Sequence, residues 1–313
     1  MANTVVVGVT FVDIKGFPKG KYNPQGRNLG SVKVVHGGVS RNVVENFANV
    51  GMPVSFVSML EDSAFGRDVA RKLTNAGADL RYTFTVEDNG IGMWLVILDE
   101  TGNLAGSISR MPDTSLLEDY ISRCGDEIIS GAENVVLEID LNERIASEIL
   151  RLSEKYRKKV YAIVGNMSVI LAHPEFLQHT DCFICNEIEA GRLFDSEVVP
   201  AFSPEQMLEY LPTAAKAAGI HSMVVTMGVH GAVYYDGETE DVGICPIYPA
   251  KVVDTSGAGD AFFSGTVMGL TRRLPLREAV CYGAKLASLT IAGEENACPM
   301  IPDFFNQQMT LFD

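Results

Sequence analysis

Strand-like and helix-like segments alternate through the second half of the chain, and this constrains the fold more than any other feature. β-branched and aromatic runs mark strands over Val135–Ile139, Val160–Val164, Cys182–Cys185, Met223–Thr226 and Gly231–Tyr235. Helical periodicity marks Glu143–Tyr156, Glu187–Phe194, Pro204–Ala218, Gly259–Leu270 and Leu276–Ala292. The first half begins the same way. A valine-rich strand over Thr4–Val9 precedes a helix carrying Val39, Val43, Val44, Phe47, Ala48 and Val50 on one stripe, with Gly51 as its stop. A strand over Val54–Met59 and a helix over Phe65–Ala76 ending at Gly77 follow. Such alternation predicts an α/β fold, a mostly parallel sheet with helices on both faces. Two stretches interrupt it. The Gly/Pro/Asn-rich run Lys15–Gly30 is too long for a simple turn, and Gly92–Leu98 and Leu104–Arg110 flank DETG as a hairpin. Segments 12–35 and 90–110 are expected to form a small separate β layer.

The 313 residues and 47% hydrophobic content suffice for a large core, and the whole chain reads as one domain. A net charge of −15 argues against nucleic acid or an anionic membrane as partner. The same charge means that an anionic ligand needs a local device to hold it. The opening MANTVVVGVTFVDIKGF has no basic n-region, and Asp13 interrupts its apolar run, so it does not read as a secretory signal. No run approaches the roughly 18 apolar residues of a membrane span. A cytoplasmic location is expected. Cys182 and Cys185 form a CxxC without a second ligand pair, and strand alternation points them to opposite faces, so neither zinc nor redox chemistry is expected of them. Ligands of open α/β sheets bind beyond the carboxyl ends of strands, which directs attention to Asp13, read as the end of the first strand, and to Asp140, Asn186, Thr226–Gly228 and Asp254–Asp260.

The stretch VVDTSGAGDAFFSG, Val252–Gly265, supplies the device. Gly257-Ala258-Gly259-Asp260 opens an apolar helix. Glycines permit a tight turn that leaves N–H groups free at a helix N-terminus, where the dipole favours an anion. An ionised Asp260 beside such a site can accept the proton of an attacking hydroxyl. The plainer alternative is a helix cap on Thr255 or Ser256 with a first-turn acid. Neither G-x-x-x-x-G-K-[ST] nor a G-x-G-x-x-G after the first strand is present, so a P-loop and a dinucleotide fold are excluded.

Asp254-Thr-Ser-Gly-Ala-Gly-Asp260 resembles the D-T-x-G-A-G-D signature of the ribokinase family, the phosphofructokinase B type sugar and nucleoside kinases. Four further segments resemble that family's motifs in order: His36-Gly37-Gly38 with Asn42, Glu61-Asp62 with Phe65-Gly66, Asn186-Glu-Ile-Glu189, and Thr226-Met-Gly228 with Gly231. The resemblance spans nearly the whole chain. It implies a three-layer α/β/α sandwich with a small β lid, ATP and Mg²⁺ as cofactors, and a homodimer through the lid. It implies Asp260 as general base and the N–H groups of Gly257, Ala258, Gly259 and Asp260 as an anion hole. Asp13, Gly37, Gly38, Asn42 and Asp140 fall at acceptor-binding positions. Asn186, Thr226, Gly228 and Gly231 fall at ATP positions, with Asn186 and Glu189 organising Mg²⁺ and its waters. Asp254 and Ser256 match positions that hold a monovalent cation, K⁺, in some members, while Gly293–Pro299 departs from the usual loop. Gly165-Asn166 stands where many members carry Asp-Pro.

Within the family, Asn28–Gly30 and HGGVSRNVVENFANVG, with the loop Glu294–Pro299, resemble the pseudouridine kinases. The expected reaction is ATP-dependent phosphorylation of a sugar or nucleoside hydroxyl, with the 5′-hydroxyl of pseudouridine as the expected acceptor. A ribokinase or ketohexose kinase is the alternative of the same chemistry. A catalytically weak nucleoside- or sugar-binding regulator is the alternative from another class.

Overall fold

A computed structural model describes residues 3–306. Its elements in chain order are β1 (Thr4–Val7), β2 (Phe11–Pro18), β3 (Gly30–Gly37), α1 (Val39–Asn49), β4 (Val54–Glu61), α2 (Ala64–Ala76), β5 (Thr83–Val86), β6 (Gly92–Leu98), β7 (Leu104–Arg110), α3 (Thr114–Gly131), β8 (Asn134–Glu138), α4 (Glu143–Tyr156), β9 (Lys159–Ile163), α5 (Ser168–Ala172), β10 (Cys182–Asn186), α6 (Glu187–Leu193), α7 (Pro204–Ala218), β11 (Ser222–Thr226), β12 (Ala232–Asp236), β13 (Asp241–Cys245), α8 (Ala258–Thr271) and α9 (Leu276–Thr290).

The large sheet has the order β13-β12-β11-β10-β9-β8-β1-β4-β5. The strands from β5 to β11 pair in parallel, and β12 and β13 close one edge antiparallel. The period of two along each strand divides the core into two halves. Val5, Val7, Val135, Leu137, Val160 and Ala162 pack with α3, α4 and α7. Val6, Val136, Tyr161 and Ile163 pack with α1, α2, α8 and α9. Cys185 belongs to the first half and Cys182 to the second, the opposite-face placement that alternation predicts. The result is the expected three-layer sandwich. No helix among the described residues is long and apolar enough to cross a membrane.

The chain leaves β1 for β4 on one side and returns to β8 on the other. The crevice beyond the carboxyl ends of β1 and β8 is therefore the switch point where open α/β sheets take ligands. The interrupting segments form a second sheet of order β3-β2-β6-β7, antiparallel except for the parallel β2–β6 pair. This places Asp13 differently from the sequence reading. β1 stops at Val7, and Asp13 lies inside β2 of the small sheet. The valine run Val5–Val9 conceals the break, because Gly8 turns the chain where a Cβ would fall 1.8 Å from Ser40 Oγ.

Candidate active site

The glycine stretch folds as its composition requires. Gly257 is the N-cap of α8 at φ 76°, and a Cβ there would lie 2.1 Å from the Asn296 carbonyl oxygen. A side chain at Gly257 is excluded by both conformation and space. Gly259 differs, since a Cβ on it would meet nothing within 4 Å. Among the described residues nothing accepts from the N–H of Gly257, Gly259 or Asp260, whereas that of Ala258 reaches the Thr255 carbonyl at 3.2 Å. Three of the four predicted donors are thus free at the N-terminus of a 14-residue helix. Neither Thr255 nor Ser256 caps the helix with its side chain, so the simple cap reading fails.

Asp260 sits in the first turn of α8 and is partly buried. Its Oδ2 accepts a 2.6 Å hydrogen bond from Asn42 Nδ2, across 218 residues of sequence. Burial pushes its carboxyl up to about 6; the Asn42 hydrogen bond and the Arg41 charge pull it down, and the Glu189 and Asp13 charges push it up. Asn42 touches this carboxylate, and the charges of Asp13, Arg41 and Glu189 act on it. Asp13 packs against Gly37, whose Cβ would lie 2.6 Å from Asp13 Oδ1. Burial raises the Asp13 carboxyl, and Lys15 and Arg41 oppose it. Gly38 is at φ 95°, and a Cβ on it would lie 2.8 Å from the Phe11 nitrogen and 2.9 Å from the Val9 oxygen.

Several residues of this network carry no motif in the sequence reading. Arg41 is fully buried; it donates to the Gly37 carbonyl at 3.2 Å, to the His36 carbonyl at 2.7 Å, and to Glu45 and Asn42 Oδ1. A guanidinium only donates, so it fixes which end of the Asn42 amide is oxygen and turns the NH₂ toward Asp260. Glu138, 7% exposed at the end of β8, accepts from Ser40 Oγ at 2.8 Å and from the Val9 N–H at 3.3 Å. Burial, with the Asp140 and Asp260 charges, pushes its carboxyl up to about 8 against the Ser40 and Val9 bonds. Asn296 donates to the His36 carbonyl at 3.1 Å, and Cys298 N–H donates to Asn46 Oδ1 at 2.8 Å, so the loop Gly293–Pro299 is stitched to the end of β3 and to α1 beside Gly257.

Asp140, read as an acceptor-side acid, lies just beyond the carboxyl end of β8. Its carboxylate accepts from the N–H groups of Gly165, Asn166 and Met167 at 3.0, 2.6 and 2.6 Å, and it is 2% exposed. It holds the turn at Gly165-Asn166, with one bond to its Oδ1 and two to its Oδ2.

Asn186 and Thr226 are register partners at the carboxyl ends of β10 and β11. Asn186 and Glu189 form a reciprocal cap: Asn186 Oδ1 accepts from the Glu189 N–H and Glu189 Oε2 from the Asn186 N–H, both at 2.8 Å. This cap leaves Glu189 Oε1 and Asn186 Nδ2 without a hydrogen-bond partner among the described residues. Mg²⁺ keeps several waters and needs few protein oxygens, so this pair fits it through water. Among the described residues no three His, Cys, Asp or Glu side chains cluster to grip a metal directly. Gly228 and Gly231, at φ 54° and 87°, shape the turn after β11, closed by the Met227 N–H on the Gly231 carbonyl at 2.7 Å. Asp254 Oδ1 accepts from the Ser256 N–H at 2.9 Å just before the anion loop. A cavity of about 1160 Å³ lies at the opposite end of the sheet, by the amino ends of β8, β9 and β11 near Asn134, Lys159 and Ser222, and none of these site residues lines it.

The description "pfkB family carbohydrate kinase" matches residues 1–302. The chain belongs to the pfkB family. This pfkB kinase is 34% identical over 306 residues to the guanosine-inosine kinase of Exiguobacterium acetylicum, covering 98% of this chain and 99% of that protein. It is 23% identical over 291 residues to the pseudouridine kinase of Escherichia coli (strain K12), covering 93% and 90%. The Arabidopsis thaliana ribokinase solved with ribose and ATP shares its fold at a TM-score of 0.80, with 23% identity and coverage of 97% and 98%. The Giardia lamblia ribokinase shares it at 0.82, with 17% identity and coverage of 98% and 99%. The chain is a kinase of the sugar and nucleoside type, and the likeness to the pseudouridine kinases is to distant homologues.

Proposed function

We propose that this kinase transfers the γ-phosphoryl group of ATP to the 5′-hydroxyl of a nucleoside. One observation carries the reading: a carboxylate held by Asn42 stands in the first turn of α8 beside three unpaired N–H groups. Asp260 takes the acceptor's proton, and the N–H groups of Gly257, Gly259 and Asp260 receive the charge on the phosphoryl oxygens. Asp13, Asn42 and the bare backbone at Gly37 and Gly38 hold the acceptor's hydroxyls. Thr226, Gly228 and Gly231 face the nucleotide. Asn186 and Glu189 hold Mg²⁺ through water, which supplies charge neutralisation on the phosphates, and Asp254 and Ser256 flank a monovalent cation. The small sheet acts as a lid and, through its outer face, as a dimer contact.

A purine nucleoside is the preferred acceptor in this reading, because a guanosine-inosine kinase matches at higher identity and over more of its length than the pseudouridine kinase does. The test is ATP consumption with Mg²⁺ against guanosine, inosine, pseudouridine, adenosine, uridine, ribose and fructose. A preference for guanosine or inosine supports the proposal. A preference for pseudouridine restores the reading of the Asn28–Gly51 segment, and one for a free sugar rejects the nucleoside assignment. Asp260→Asn is expected to lower kcat by about 10²–10⁴. A variant that keeps its rate removes Asp260 as base.

A further inference from the structure

A phosphoryl group entering a chain of net charge −15 needs positive charge at the anion loop, and few cations near that loop are free to provide it. Arg41 lies beneath the site and is committed to Glu45, Asn42 and two carbonyls. Lys72 is paired with Glu45 at 3.1 Å and Glu295 at 2.7 Å, and Lys33 with Glu294 at 3.1 Å. Lys15 differs. It lies on β2 two residues beyond Asp13, opposite Lys33 of β3, so all three share the face of the small sheet that meets the body. Its Nζ donates to Ser256 Oγ at 3.1 Å, and its charge acts on the Asp13 and Asp254 carboxylates without closing an ion pair among the described residues. Ser256 directly precedes Gly257, the first free N–H donor of the loop. An ammonium whose direct contact is a hydroxyl is tethered more weakly than one bonded to a carboxylate, and a lysine is a mobile point charge with three donors.

We propose that Lys15 is a catalytic residue of the phosphoryl transfer, moving from Ser256 Oγ onto the transferring group. The inference rests on the reading of Gly257–Asp260 as the phosphoryl site. In the step, the acceptor oxygen bonds to the γ-phosphorus and the bond from that phosphorus to the bridging oxygen breaks, releasing ADP. The acceptor's proton passes to Asp260. Lys15 exchanges no proton; it neutralises charge on the equatorial oxygens as they become more exposed.

Lys15→Met, Lys15→Arg, Lys33→Met and Asp260→Asn are compared for kcat and KM, with the affinity for ADP plus tetrafluoroaluminate measured by calorimetry as a readout that needs no acceptor. Lys15→Met is expected to lose about 10²–10³ in kcat, the loss typical of removing one oxyanion donor, with acceptor KM changed less than about threefold. Its affinity for the ADP–fluoride complex is expected to fall at least about tenfold, and Lys15→Arg to recover part of both. Lys33→Met, which cuts the lid's ion pair to Glu294 and leaves Ser256 untouched, is expected to keep kcat within about threefold. The proposal is overturned if Lys15→Met keeps its kcat or its fluoride-complex affinity, or if Lys33→Met matches its loss, which would make both lysines lid latches. If Asp260→Asn stays active, the reading of the site fails instead, and the fluoride-complex affinity of Lys15→Met still decides whether Lys15 reaches the phosphoryl position.

Discussion

Asp260 and Glu138 are carboxyls that burial moves in one direction to different extents, and each has a measurable consequence. A folded-state value near 6 for Asp260 means that the free enzyme gains its base as pH rises through that point. The acid limb of kcat/KM should fall near pH 6. The Asn42 amide stabilises the ionised form, so Asn42→Ala should raise the Asp260 value and move the limb to higher pH; an unmoved limb would mean that another group controls it. Glu138, at about 8, binds a proton in the native state that the unfolded chain releases near its ordinary value of 4.5. Its contribution is full below that value and is lost as pH rises through 8. Glu138→Gln keeps the shape without the ionisation, so urea unfolding at pH 5 and pH 9 should show it gaining on the order of 1–3 kcal/mol over the parent between the two. Parallel curves would show Glu138 ionised or exposed in the native state. The sequence made Asp260 and Asn42 legible through their motifs. It could not show Arg41 or Glu138 as site residues, because Glu138 meets partners 98 and 129 residues away and a buried arginine looks like any other until its carbonyl partners are in place.

The loop into α8 separates two glycines that look alike in sequence. Gly257 is required by the fold: alanine there meets the Asn296 carbonyl and a positive φ, so Gly257→Ala should cost at least about 2 kcal/mol in unfolding free energy and lower activity with it. Gly259 is helical with open space beyond it, so Gly259→Ala should leave the melting temperature unchanged or raise it, by up to about 1 kcal/mol in stability, while lowering kcat because the new methyl projects where the phosphoryl group must lie. Equal rates for Gly259→Ala and the parent would move the phosphoryl position elsewhere. Elements with strong periodicity and caps were legible, and α4 spans the residues that its pattern marks, closed by Asn142 as N-cap. The periodic reading assigns nothing to 111–134, yet α3 fills 18 of those positions. Its stripe of Leu117, Ile121, Ile128 and Ile129 and the Asp113 cap carry the signal, while Gly125 breaks it. That glycine is explained only by α4, since a Cβ there would lie 2.7 Å from Leu152 Cδ1. β5 and β13 are short edge-side strands with few buried residues, and their identity comes from the neighbours they pair with rather than from their own composition.

At the scale of the whole molecule the small sheet is asymmetric. One face carries Asp13, Lys15 and Lys33 toward the body, where Lys15 and Lys33 touch Ser256 and Glu294. The other face carries a row through register, Val34 to Ile14 to Leu95 to Ile108, across all four strands, of which Ile14 is half-buried against the body's core. Val34 is 51% exposed, Leu95 40% and Ile108 70%, and Val32 beside them is 69% exposed. Contiguous apolar surface on a sheet face marks a contact surface or an aggregation hazard. The proposed dimer buries it against a second copy, each row meeting its own equivalent about a twofold axis. Ile108 contributes little to the isolated chain, so Ile108→Asp should change unfolding free energy by no more than about 0.5 kcal/mol. In the dimer it would bury a carboxylate against apolar side chains, which is prohibitive. Light scattering at micromolar concentration should therefore give twice the chain mass for the parent and the chain mass for Ile108→Asp. Because each lid would brace its partner's, the variant should also show a raised acceptor KM with Asp260 and its loop intact. A parent that runs as a monomer across the concentration range rejects the dimer, and the row would then need another occupant.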